Sequence, residues 1–72
     1  MNDNAEVVMG VINKRFKYRF GYVFSFSGLA KFAGISIREA IEAVNDLERH
    51  KFIVFRGALS NEGPSDYLVR YE

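Results

Sequence analysis

Residues 27–55 read SGLAKFAGISIREAIEAVNDLERHKFIVF, and the way this stretch breaks decides the fold. Ser27 offers a hydroxyl to the unpaired backbone N–H groups of a first helical turn, and Leu29, Ala30, Phe32 and Ala33 supply that helix's apolar content. Gly34 ends it, because only glycine reaches the left-handed conformation of a C-terminal cap without a Cβ penalty. A second helix opens at Ser36, where Ser-x-x-Glu with Glu39 makes a capping box. Ile37, Ala40, Ile41, Ala43, Val44 and Leu47 then recur at helical spacing and give the second helix one apolar face. His50, between Arg49 and Lys51, is placed to cap the free carbonyls at its end. The run Phe52, Ile53, Val54, Phe55 is too short and too β-prone to prolong it and predicts a strand over 52–55.

Working outward, Asn2, Asp3 and Asn4 offer N-caps for an earlier helix, with Asp3 and Glu6 suited to the positive end of its dipole. Ala5, Val8, Ile12, Phe16 and Phe20 keep one face apolar. Gly10 inside this helix costs it up to about 1 kcal/mol relative to alanine, or marks a close helix crossing. From Phe16 onward a second pattern competes: Phe16, Tyr18, Phe20, Tyr22, Phe24 and Phe26 alternate with the two-residue period of a strand. The expectation divides the two, with helix to Arg19 or Phe20, Gly21 as its stop, and a strand over 22–25. On the other flank, Arg56-Gly57 and the run Ser60, Asn61, Glu62, Gly63, Pro64, Ser65, Asp66 predict a loop of about ten residues, after which 67–71 returns as a strand against 52–56.

A chain of 72 residues makes one domain, residues 1–72, and buries only about 60% of its unfolded surface, so a dimer partner or a ligand would add to a thin stability margin. The composition, 49% hydrophobic and 26% charged, is that of a globular protein. The absence of cysteine removes disulfides, thiolate catalysis and cysteine-based zinc sites. With neither a long apolar run nor a charged-then-apolar leader, the expectation is a cytoplasmic protein with no membrane segment. There is no phosphate-binding glycine loop, no nucleophile elbow and no paired histidine, so neither an enzyme nor a metal or other cofactor is expected.

The segment Leu29-Ala30-Lys31-Phe32-Ala33-Gly34-Ile35-Ser36, followed by Ala40, Val44 and Leu47 and then by His50-Lys51-Phe52-Ile53, resembles the core of a winged helix-turn-helix domain. With its flanks the resemblance covers nearly the whole chain, although its motifs specify a fold class rather than a single family. It implies an α+β fold of three helices and a small antiparallel sheet in the order α-β-α-α-β-β. It further implies a small sequence-specific DNA-binding regulator, acting as a homodimer on a paired half-site of double-stranded DNA, with the second helix of the motif in the major groove. On that expectation Arg38 and Asn45 read bases, while Lys14, Arg15, Lys17, Arg19, Lys31 and Arg56 hold phosphates.

The residues also argue for a rival. Lys14, Arg15, Lys17 and Arg19 crowd four of the ten basic residues beside Phe16 and Tyr18, which suits phosphates and bases but also suits a solvated helix end. From Ser36 to Lys51 there are three basic and four acidic side chains, a local charge of −1 on the element that should approach a polyanion. In the wing, Arg56, Arg70 and Lys51 are offset by Glu62 and Asp66 at the tip. Ile37 and Ile41 make no hydrogen bonds to bases; either the helix is rotated so that both join Val44 in the core, or they form an exposed apolar patch. The second option defines the alternative, a winged-helix module that binds a protein partner through Ile37, Ile41 and the wing without binding DNA.

Overall fold

Asn2 caps the first helix, its side chain accepting the Asn4 backbone N–H at 2.8 Å. The structure is a computed structural model and describes residues 2–61 and 67–72. Helix α1, Asp3–Arg15, carries Asp3 and Glu6 in its first turn and Lys14 and Arg15 in its last, as the macrodipole favours. Ala5, Val8 and Ile12 are its buried residues. A Cβ added at Gly10 would meet nothing within 4 Å, so among the described residues no close crossing explains this glycine.

The helix ends at Arg15, earlier than the apolar spacing through Phe20 predicts, and the two-residue period takes over. Strand β1, Lys17–Tyr18, turns at Arg19 and Phe20 into β2, Gly21–Phe24. The Val23 N–H donates to the Phe16 carbonyl at 3.1 Å, and the Phe16 ring meets that of Phe24 at 6.0 Å. A continued helix would have buried Phe20; the hairpin leaves it 97% exposed. Gly21 is therefore no helix stop. It sits where a Cβ would run into the Tyr71 carbonyl oxygen, so a neighbouring strand can approach closely.

Helix α2, Phe26–Ala33, begins one residue after its N-cap Ser25, whose hydroxyl accepts the Gly28 N–H at 3.1 Å; the cap is Ser25 rather than Ser27. The shift lets Phe26 enter the first turn with its ring edge-on to Phe24. Gly34 closes α2 at φ 71, with its own N–H and that of Ile35 both donating to the Ala30 carbonyl. Helix α3, Ile37–Arg49, opens on the expected capping box: the Glu39 N–H donates to the Ser36 hydroxyl at 3.1 Å and the Ser36 N–H to the Glu39 carboxylate at 3.0 Å.

Lys51, at φ 65, redirects the chain after α3. Only Ile53 of the expected strand over 52–55 is buried, and Phe52 and Val54 stay exposed. Strand β3 starts later and runs further, Phe55–Asn61, so the connection to β4, Tyr67–Tyr71, is shorter than expected. The turn-rich residues 62–66, including the acidic Glu62 and Asp66, lie outside the described residues. The four strands form one antiparallel sheet ordered β1-β2-β4-β3, one strand more than the expected α-β-α-α-β-β. Outermost β3 carries two register shifts, between Phe55 and Gly57 and between Ala58 and Ser60, with Gly57 at φ 116.

One core joins the helices to the inner face of the sheet. Ile12, Leu29, Val44, Leu47 and Ile53 share one buried cluster with Phe24, which stacks on Tyr71 with centroids 5.0 Å apart and planes 5° from parallel. Fully burying a side chain of this size stabilises by about 1.5–3 kcal/mol, so these few positions carry much of a small domain's stability. Ile37 and Ile41 do not join that core. They are 48% and 38% exposed, because Ala40, Ala43, Val44 and Leu47 already fill the buried face of α3.

Candidate nucleic-acid interface

Arg38, Glu42, Asn45 and Arg49 follow at steps of four, three and four, which lines them along the solvent side of α3. All four are exposed. The other carboxylates of the helix are engaged elsewhere. Glu39 closes the capping box and accepts from the Asn4 side chain at 3.4 Å. Asp46, largely buried, accepts the Asn2 backbone N–H at 2.8 Å and lies 3.4 Å from Arg49 and 3.7 Å from His50. Glu48 is half-buried and neighbours the Tyr71 hydroxyl. The acidic side chains of this segment are thus spread round the helix: Arg38, Glu42 and Asn45 stand on the outer face with Arg49, which is paired with the inward-turned Asp46, while Glu39 is exposed at the N-terminal end.

These bonds leave their mark on titration. The Ser36 backbone N–H, then its hydroxyl, holds the Glu39 carboxyl below its usual range. The Asn2 amide does the same for Asp46, outweighing burial, with the charges of His50 and Arg49 adding to it. Burial, and after it the neighbouring Glu48, pushes the Tyr71 hydroxyl up. His50 lies with Nδ1 2.9 Å from the Asp46 carbonyl oxygen, the C-terminal capping position its place in the sequence suggests. Among the described residues no three histidine, aspartate or glutamate side chains converge as metal ligands would.

The eight positions expected to contact DNA fall into three places. Arg38 and Asn45 share the outer face of α3. Lys14 and Arg15 close α1, Lys17 and Arg19 follow in the β1–β2 hairpin, and Lys31 lies in the last turn of α2. The Arg15 guanidinium lies 4.6 Å over the Phe32 ring, which also meets Phe16 edge-on at 5.7 Å, and this ties the end of α1 to the end of α2. Arg19 lies 5.4 Å over Tyr18. Arg56 is held in an ion pair with Glu72 at 2.9 Å. Because Tyr22 pairs with Tyr71 and Phe24 with Val69, the Arg19–Phe20 turn lies at the opposite end of the sheet from the Asn61–Tyr67 pair.

Sequence reasoning passed over Arg49, Phe20 and Phe32. A signal for the basic cluster was present: residues 7–38 contain Lys14, Arg15, Lys17, Arg19, Lys31 and Arg38 and no carboxylate, while all nine acidic residues lie outside this span. No family model matches the chain, and no curated protein or solved structure matches it. No helix among the described residues is long and apolar enough to cross a membrane.

Proposed function

We propose that this chain is a winged helix-turn-helix DNA-binding protein, a small cytoplasmic regulator that lays α3 in the major groove. One observation carries the reading: Asp46 is turned into the fold and Glu39 closes the capping box, and the face of α3 turned to solvent presents Arg38, Asn45 and Arg49, the last paired with Asp46. Arg38 has the fork to bond guanine O6 and N7, and Asn45 the amide to bond adenine N6 and N7. Lys31, Lys14 and Arg15 are candidate phosphate contacts, and the β3–β4 hairpin serves as the wing. A homodimer would set two copies of α3 on a paired half-site.

The test begins with selection of a preferred duplex from a random pool, followed by titration against salt. With about four phosphate contacts, log affinity falls against log salt with a slope near −3.6. Arg38→Ala and Asn45→Ala should each cost about 1–3 kcal/mol on the selected duplex and relax the preference at one base pair. No duplex binding at low salt, or a flat salt response, removes the proposal.

The exposure of Ile37 and Ile41 favours a second reading, in which the same helix face docks a protein partner instead of DNA. Ile41→Arg separates the two. Loss of an assembly seen by sedimentation, with duplex binding absent, supports the protein module; an unchanged assembly with duplex affinity held or raised supports DNA.

A further inference from the structure

The basic surface formed by the end of α1, tied through Arg15 and Phe32 to the end of α2, and by the adjoining β1–β2 hairpin lies on other elements than α3, and nothing above requires all of it. Its chemistry is unusual for plain solvated surface. Lys14, Arg15, Lys17, Arg19 and Lys31 are all exposed, and none lies within ion-pair distance of a described carboxylate. Three aromatic rings stand among them: Tyr18 at 54% exposure, Phe32 at 51% and Phe20 at 97%. Phe20 occupies the hairpin turn beside Arg19, which is held at φ 54, and Lys17, Arg19, Phe20, Gly21 and Tyr22 line an open pocket of about 350 Å³. A ring left almost wholly in water at a turn forgoes the 1.5–3 kcal/mol or so that burial returns.

We infer that this face binds single-stranded nucleic acid, with the cations on successive phosphates and Phe20 and Tyr18 as stacking platforms for unpaired bases. Single strands offer what such a surface takes: a line of phosphates and π-faces not covered by neighbours. A duplex hides those faces, and opening a base step to admit Phe20 costs a few kcal/mol. A bilayer fits less well. The Arg15 guanidinium lies on Phe32 and that of Arg19 on Tyr18, so sinking either ring into hydrocarbon drags a charge with it. With a nucleic acid strand the same pairs are compatible, since the guanidinium turns to a phosphate while the ring receives a base. This site stands whether or not α3 binds a duplex.

The experiment is fluorescence anisotropy with oligothymidylate and oligouridylate of about 16 nucleotides, long enough to span one such surface. Binding is expected at low salt, with a slope near −3.5 in log affinity against log salt for five phosphate contacts. Phe20→Ala should weaken it about tenfold, the order expected for one stacked base. Phe20→Leu should weaken it comparably, because leucine retains apolar bulk without a stacking plane; Lys17→Glu with Arg19→Glu should abolish it. Phe20 supports no packing, and circular dichroism checks that each variant is folded. Arg38→Ala should leave oligonucleotide affinity unchanged, which separates this site from the α3 proposal. No binding to either oligonucleotide overturns the inference, as does binding indifferent to both Phe20 variants. So does capture by phosphatidylserine vesicles without oligonucleotide binding.

Discussion

Two glycines in this chain, at positions 10 and 34, allow the turn between α2 and α3 to be tested by sign as well as by size. An ideal Cβ at either meets no heavy atom within 4 Å, so replacing each by alanine probes backbone conformation with no packing change. Gly10 lies in the interior of α1 in helical conformation, where alanine is better by about 0.8–1.0 kcal/mol. Gly34 sits at φ 71, and there the Cβ costs roughly 1–2 kcal/mol, offset in part by about 0.4–1 kcal/mol from a less flexible unfolded chain. Gly10→Ala should therefore raise, and Gly34→Ala lower, the stability by about 1 kcal/mol each, a separation near 2 kcal/mol. For a domain of this size each step corresponds to about 4–8 °C in Tm. Urea and thermal unfolding followed by circular dichroism give both values, with Gly34→Asn expected between wild type and Gly34→Ala because asparagine tolerates the left-handed region. A Gly34→Ala variant at or above wild-type stability would refute the left-handed closure of α2, and with it the break between the two helices.

Other expectations follow from the caps and the titrating groups. Ser36→Ala removes the hydroxyl that accepts the Glu39 N–H and should cost about 0.5–2 kcal/mol in urea unfolding. Asp46 and Glu39 have folded pKa values below their ordinary 3.8 and 4.5, so their contribution is complete above those values and is lost as pH falls through the lower, folded ones. Stability profiles should drop at acid pH, and Asp46→Asn should flatten that drop while lowering the plateau at neutral pH. Tyr71 has the opposite sign: its pKa is raised above 10.0, so its contribution is complete below that value and declines as pH rises beyond it. Tyr71→Phe keeps the ring on Phe24 and should flatten the alkaline decline, which unfolding between pH 9 and 11 would show.

The parts of the fold legible in the sequence were those with a local cause strong enough to act alone. Gly34 and the Ser36–Glu39 box fix their turn through neighbours within a few residues, and both are found as read. Phe16 and Phe20 satisfy two periods, and what decided between them was not local: Phe24 stacks on Tyr71, far along the chain, and residues 17–24 join a sheet. Ile37 and Ile41 were ambiguous for a related reason. Their spacing places them beside the apolar face of α3, and only the fit of Ala40, Ala43 and Val44 to the core leaves them outside it. At the candidate interface the sequence named Arg38 and Asn45 but could not tell that Asp46 is turned inward, to Asn2 across the fold. Phe20 was misplaced once the helix was drawn too long.

The irregular margin of the sheet bears on how the molecule behaves among its own copies. A long flat outer strand is a template on which another chain can continue the ladder, and polymers grow from such templates. Here one outer strand, β1, is only two residues long, and the other, β3, slips register twice within seven residues with Gly57 at positive φ, so an incoming strand finds no sustained run of donors and acceptors in step. Crowding this small domain to high concentration should therefore not drive edge-to-edge polymerisation, and straightening β3 should raise its tendency to pair with its own copies.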